Sequence, residues 1–136
     1  MKKARVGIFG GAFDPPHNGH LCAAKAFYDS MQLDRLIIIP SFVPPHKVKS
    51  KAMPSDRLEM ASLAFKSIEN SQISSCEIDR GGVSYTYLTI EEYYSDDVEL
   101  YLFVGTDMFL TLSEWDMAQD IFKAAQICLI RRESLD

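Results

Sequence analysis

Four aliphatic residues in a row, Leu36-Ile37-Ile38-Ile39, closed by Asp34-Arg35 before and Pro40 after, constrain this chain more than any other stretch. A strand with one wet face alternates apolar and polar residues, so an unbroken apolar run reads as a strand buried on both faces of a parallel sheet. Three further stretches support that sheet. Val6 to Phe9 runs into Gly10-Gly11, Leu100-Tyr101-Leu102-Phe103-Val104 runs into Gly105, and Ile127-Cys128-Leu129-Ile130 precedes Arg131-Arg132. A weaker strand is expected around Ile73 to Ile78. Between the strands, apolar residues return at helical steps: Leu21, Ala24, Phe27 and Met31; then Leu58, Ala61 and Phe65; then Tyr87, Ile90 and Tyr94. Asn18 is the expected N-cap of the first helix, and Asp56 with Glu59 reads as a capping box for the second. Short helical segments are expected at Met108 to Leu112 and Met117 to Phe122, around Trp115.

Strand and helix alternate from one end to the other. That order predicts an α/β fold, a Rossmann-like open parallel sheet of about five strands with helices on both faces and right-handed crossovers. The 136 residues, 47% apolar and 24% charged, suit a single domain with a real core and exclude disordered and collagen-like classes. Fourteen Lys+Arg against nineteen Asp+Glu leave a formal charge of −5, which gives no global pull toward nucleic acid or an anionic membrane. Any phosphate binding must therefore be built locally. Cys22, Cys76 and Cys128 show neither a C-x-x-C pair nor zinc-finger spacing, so reduced thiols are expected. No stretch reaches the roughly 18 apolar residues of a membrane span, and the basic start lacks a signal peptide's apolar segment. A cytoplasmic protein is the expectation.

Open α/β sheets bind ligands at the carboxyl ends of their strands, near the point where strand order reverses. Chemistry is thus expected after Phe9, after Ile39 and after Val104. The first of these places holds Gly10-Gly11-Ala12-Phe13-Asp14-Pro15-Pro16-His17-Asn18-Gly19-His20, which is neither G-x-G-x-x-G nor a Walker P-loop. It still has the physics of a phosphate site. Two glycines let the backbone approach a bulky anion, a helix beginning near Gly19 offers free N–H groups, and His17 and His20 can turn imidazole donors to one spot. Two other readings compete. The histidines could be ordinary capping residues at a turn, or zinc ligands with Asp14 or His46, although no third ligand sits at a usual spacing. Phosphate binding ranks ahead of both.

The stretch Gly7 to Leu21, with His17-Asn18-Gly19-His20 inside it, resembles the signature of the nucleotidylyltransferase superfamily. Three more segments resemble its bacterial nicotinate mononucleotide adenylyltransferase branch. They are Ile39-Pro40 through Pro44-Pro45-His46-Lys47, Ser84-Tyr85-Thr86, and Gly105-Thr106-Asp107 with Leu112 and Trp115. The resemblance implies transfer of AMP from ATP to nicotinate mononucleotide, with release of pyrophosphate and formation of deamido-NAD. It implies catalytic roles for His17 and His20 at the ATP phosphates, and ATP contacts at Gly10, Gly11, Phe13, Gly105 and Asp107. Substrate binding falls to Lys47, Thr86, Trp115 and Arg132. Trp115 can stack on a pyridine ring, and N–H groups near Thr86 can receive a carboxylate; the bland alternatives are a core tryptophan and a helix cap. For Asp107, ribose hydroxyls and the cap of a short helix are both open readings. Mg²⁺ is expected to arrive with ATP, with no protein ligand named.

Members of the resembled family carry a later strand and helix with a second ATP signature of the form Ile-Ser-Ser/Thr-x-x-Ile-Arg. The sequence Arg131-Arg132-Glu133-Ser134-Leu135-Asp136 holds no equivalent, so residues 1–136 are expected to form one nucleotidylyltransferase-like domain without that unit. A nucleotide-binding module with little turnover, or another nucleotidylyltransferase such as a cytidylyltransferase, is the competing expectation. An unpaired sheet edge would favour a homo-oligomer.

Overall fold

A computed structural model of the chain describes residues 2–42 and 51–129, and the side chains of all of these except 106 and 107. The sheet holds five strands: β1 (Ala4–Gly11), β2 (Arg35–Pro40), β3 (Ser71–Ile73), β4 (Val98–Val104) and β5 (Ala125–Leu129). Every pairing is parallel and the spatial order is β3-β2-β1-β4-β5. Six α-helices complete it: α1 (Asn18–Ser30), α2 (Pro54–Phe65), α3 (Cys76–Arg80), α4 (Thr86–Tyr93), α5 (Thr106–Leu110) and α6 (Ala118–Ala124), with a 3₁₀ turn at Leu112–Glu114.

The run that announced the sheet also divides its two cores. Leu36 and Ile38 point to one face, among Phe27 of α1 and Ala61 and Phe65 of α2. Ile37 and Ile39 point to the other, among Ile90 of α4 and Ile121 of α6. All four are fully buried, as a strand with helices on both faces demands. The first core is aromatic. Phe9 stacks on Phe103 at 4.5 Å and on Phe13 at 5.8 Å, while Phe65 meets Phe13 edge-on at 5.4 Å. Gly7 sets how close α1 comes: a Cβ there would collide with the side chains of Leu33 and Phe27.

Three local expectations fail for identifiable reasons. The strand expected over Ile73 to Ile78 stops at Ile73 and gives way to α3, whose Glu77 is buried by tertiary contacts. No capping box forms at Asp56 and Glu59. Helix α2 starts earlier, on Pro54, whose missing N–H costs nothing at a first helical position. Asn18 is not the cap of α1 either, because His17 takes that role with its ring. Among the described residues, no helix is long and apolar enough to cross a membrane.

Candidate active site at the carboxyl edge of the sheet

Strand β1 is the switch point, since β2 and β3 lie on one side of it and β4 and β5 on the other. Its pairing is uneven. With β2 the register runs to the very end, Gly10↔Ile39 and Gly11↔Pro40, whereas with β4 it stops at Ile8↔Leu102. The two central strands therefore part at their carboxyl ends, which is the crevice where open α/β sheets receive ligands. Among the described residues, a Cβ on Gly10 would meet only the Ile39 carbonyl at 3.8 Å, and one on Gly105 would meet nothing within 4 Å.

The loop after β1 delivers two imidazoles to the start of α1. His17 accepts a hydrogen bond at Nδ1 from the Gly19 N–H at 3.0 Å, and His20 accepts at Nδ1 from the His17 N–H at 3.1 Å. Together they form a reciprocal capping box in which both side chains are histidine. The rings stack 3.8 Å apart. Gly19 permits this, because a Cβ there would stand 2.9 Å from the His17 ring. With each Nδ1 engaged as an acceptor, the ring N–H that each imidazole can offer a ligand is at Nε2. Burial first, and His17 second, lower the pKa of His20 from 6.5 to about 4. At neutral pH, His20 is thus an uncharged donor. The first turn of α1 carries no acidic residue to repel an anion from its N-terminus.

Phe13 lies beneath this pair. Its ring is 2% exposed and meets His20 edge-on at 5.1 Å, with the Phe13 backbone at φ +50°. Any nucleotide contact at Phe13 is therefore made by its backbone, while the ring serves as the floor of His20.

On the β2 side, the Phe42 N–H donates to Ser84 Oγ at 2.8 Å, which draws the Ser84-Tyr85-Thr86 segment to the strand exit. Thr86 stands half-buried at the first position of α4. Behind it, Thr89 Oγ1 donates to the buried Glu77 carboxylate, and Arg80 donates to Thr89 Oγ1 at 3.1 Å while pairing with Glu92 at 3.7 Å. Burial outweighs these partners and pushes Glu77 up to about 7.

On the β4 side, Gly105 is the N-cap of α5, a position open to Asp107 in sequence reasoning. Asp107 falls in the first turn of that helix, and its side chain lies outside the described residues. Trp115 is half-buried against the second core and donates from Nε1 to Thr111 Oγ1 at 3.3 Å. It is thus partly the core tryptophan of the bland reading. Lys47, Arg132 and His46 lie outside the described residues. Among the described residues, no group of three His, Cys, Asp or Glu could hold a metal ion.

One residue of this edge escaped sequence reasoning. Arg57 of α2 is 1% exposed, and its Nη1 donates to the carbonyls of Ser41 at 2.6 Å and Ala12 at 3.0 Å. A signal did exist. A cation in the first turns of a helix opposes the helix dipole and calls for another partner.

An open parallel α/β sheet with a histidine-capped loop at its switch point defines the class. The chain belongs to the family described as cytidylyltransferase-like, whose model matches residues 8–134. Its curated relatives include proteins named "probable nicotinate-nucleotide adenylyltransferase". One from Desulfatibacillum aliphaticivorans is 38% identical over 129 residues, covering 94% of this chain and 60% of that protein. Another, from Aquifex aeolicus (strain VF5), is 38% identical over 131 residues, covering 94% of this chain and 77% of the relative. This chain therefore spans between about three fifths and about three quarters of the length of these two relatives. Among solved structures, a "putative nicotinate-nucleotide adenylyltransferase" from Vibrio parahaemolyticus superposes with a TM-score of 0.74 at 22% identity, over 98% of this chain and 76% of that one. The Plasmodium falciparum nicotinic acid mononucleotide adenylyltransferase complexed with APC gives 0.71 at 14% identity, over 94% and 74%. These structural likenesses establish the shared fold.

Proposed function

We propose that this chain transfers AMP from ATP to nicotinate mononucleotide, releasing pyrophosphate and forming deamido-NAD. The observation that carries the proposal is the paired histidine cap: two Nε2–H donors at a helix N-terminus, beside the parting of β1 and β4. The names of the relatives point the same way.

The chemistry suits these residues. The phosphate of the mononucleotide is already an anionic nucleophile at neutral pH, so no side chain has to activate it. Its oxygen forms a bond to the α-phosphorus of ATP as the bond to the bridging oxygen breaks, and pyrophosphate departs with that electron pair. Catalysis then consists of holding the two phosphates in line and receiving the growing negative charge. His17 and His20 supply Nε2–H donors for that charge, and the positive end of the α1 dipole lies beside them. Gly10 and Gly11 allow the backbone to approach the phosphates, and Gly105 with Asp107 serves the nucleoside side. Thr86 and Trp115 serve the pyridine mononucleotide, its carboxylate at the start of α4 and its ring against the indole. Lys47 and Arg132 are assigned to the same substrate from sequence alone. Mg²⁺ enters as part of the ATP complex.

The test is a pyrophosphate-release assay on the purified chain with MgATP and nicotinate mononucleotide, the dinucleotide product being confirmed by mass. Turnover that falls at least tenfold when the acid is replaced by nicotinamide mononucleotide is expected, because an unfilled anion acceptor discriminates strongly. Equal kcat/KM for acid and amide would overturn the assignment of Thr86. Turnover with CTP and another acceptor, but not with this pair, would overturn the reaction.

A further inference from the structure

The two ends of the segment between β2 and α2 are both held to the loop after β1, with Arg57 and Asp14 at the junction. At the leading end, the Ser41 N–H donates to the Gly11 carbonyl at 2.9 Å, and the Ser41 carbonyl accepts from Arg57 Nη1 at 2.6 Å. The same Nη1 holds the Ala12 carbonyl at 3.0 Å, one residue past β1. At the trailing end, Asp14 accepts from the N–H groups of Lys51 at 2.7 Å and Ala52 at 3.3 Å, and Arg57 Nε reaches the Ala52 carbonyl at 3.4 Å. Asp14 also acts electrostatically on the Arg57 guanidinium. Three chain segments that arrive from different directions thus meet on one buried cation.

A buried guanidinium is costly to desolvate, and hydrophobic residues of similar volume often serve stability as well or better. Its fork is planar and rigid, however, and that geometry can hold backbone carbonyls at fixed angles, which an ammonium or an alkyl chain cannot do. Where catalysis is positioning, misplacement by about an ångström can cost on the order of 10²-fold.

We propose that Arg57 is a positioning residue, which with Asp14 holds the phosphate loop (Ala12 to His17) in register with the β2 exit (Ser41 and Phe42) and so sets the ATP side of the crevice against the mononucleotide side. The catalytic half of this inference rests on the adenylyl-transfer reading. The structural half does not.

The experiment uses the full chain and the variants Arg57→Lys and Arg57→Met, with Asp14→Asn as the partner change. Amide hydrogen exchange reads the clamp directly. In Arg57→Lys, protection at Ser41 and Phe42 and at Lys51 and Ala52 is expected to fall at least tenfold together, while Phe9 and Ile38 inside the sheet stay protected. Loss at one end only, or at neither, overturns the clamp; loss throughout the sheet shows a residue needed for the fold as a whole and overturns it as well. Arg57→Met separates cation from geometry: a variant that melts no lower than the parent yet loses the same four protections supports positioning, and one that keeps them overturns it. In the pyrophosphate assay, Arg57→Lys is expected to lose 10- to 100-fold in kcat, with the KM of MgATP changed less than threefold. A folded, unclamped variant with unchanged kcat would overturn the catalytic half. A wild-type chain that makes no product would instead count against adenylyl transfer, leaving the exchange result to stand by itself.

Discussion

The two halves of the sheet are built differently. On the β1–β2 side, α1 and α2 are 13 and 12 residues long, and the loops at the carboxyl edge are held by a histidine cap and a buried arginine. On the β4–β5 side, α5 and α6 are five and seven residues long. Under the proposed adenylyl transfer, this contrast puts the stiffness where the phosphates would react. Charge that develops on the phosphates must meet donors already in place, whereas a nucleoside or pyridine ring is held by broad contacts that tolerate adjustment.

Substitutions on the two sides put this contrast to the test. The largest effect is expected on stability. Phe27→Ala, which empties a fully buried position beside Phe103, should cost about 3–5 kcal/mol in urea unfolding. Phe122→Ala, at a residue 39% exposed, should cost under about 1 kcal/mol. Equal costs would erase the distinction between the halves.

Next comes His20→Ala, expected to lower kcat by about 10²–10³ with both substrates saturating, as losing one preorganised donor typically does. A near-normal rate would remove His20 from the mechanism. Because the pKa of His20 falls from 6.5 to about 4, its neutral form persists well into acid, and kcat should show no protonation of this ring above about pH 5.

The smallest effect is a pH dependence of stability in which two groups oppose each other. His20 binds a proton less readily folded than unfolded, so its contribution is present above pH 6.5 and is lost as pH falls toward about 4. Glu77 has the opposite sign. Its pKa rises from 4.5 to about 7, so the folded state is favoured below 4.5 and loses that advantage as pH rises through 7. Glu77→Gln should therefore raise Tm more at pH 8 than at pH 5. A Tm gap independent of pH would show that Glu77 titrates normally.

Much of the architecture was legible, because a parallel sheet advertises itself in runs such as Leu36 to Ile39, which must be apolar on both faces. The loop after β1 was legible as well, since Gly10-Gly11 and the two histidines occupy the end of a strand and the start of a helix. Less visible were the features that depend on distant segments. The stretch Ile73 to Ile78 suggests a weak strand, yet Glu77 meets Thr89 across α3 and α4, and a helix forms over Cys76–Arg80. Histidine is not a usual capping residue, so the sequence favours Asn18, whereas the fold caps α1 with the His17 and His20 rings.

Local pattern and strand order are enough to give the fold class, the two-faced burial of β2 and the glycine-histidine loop between β1 and α1. Only the tertiary structure decided that His20 is neutral, that Phe13 is its floor and not a ligand-facing ring, and that Arg57 ties three segments into one edge. The reason is physical. A ring's protonation depends on what buries it, and a guanidinium's role depends on which carbonyls, far apart in the chain, arrive within hydrogen-bond reach.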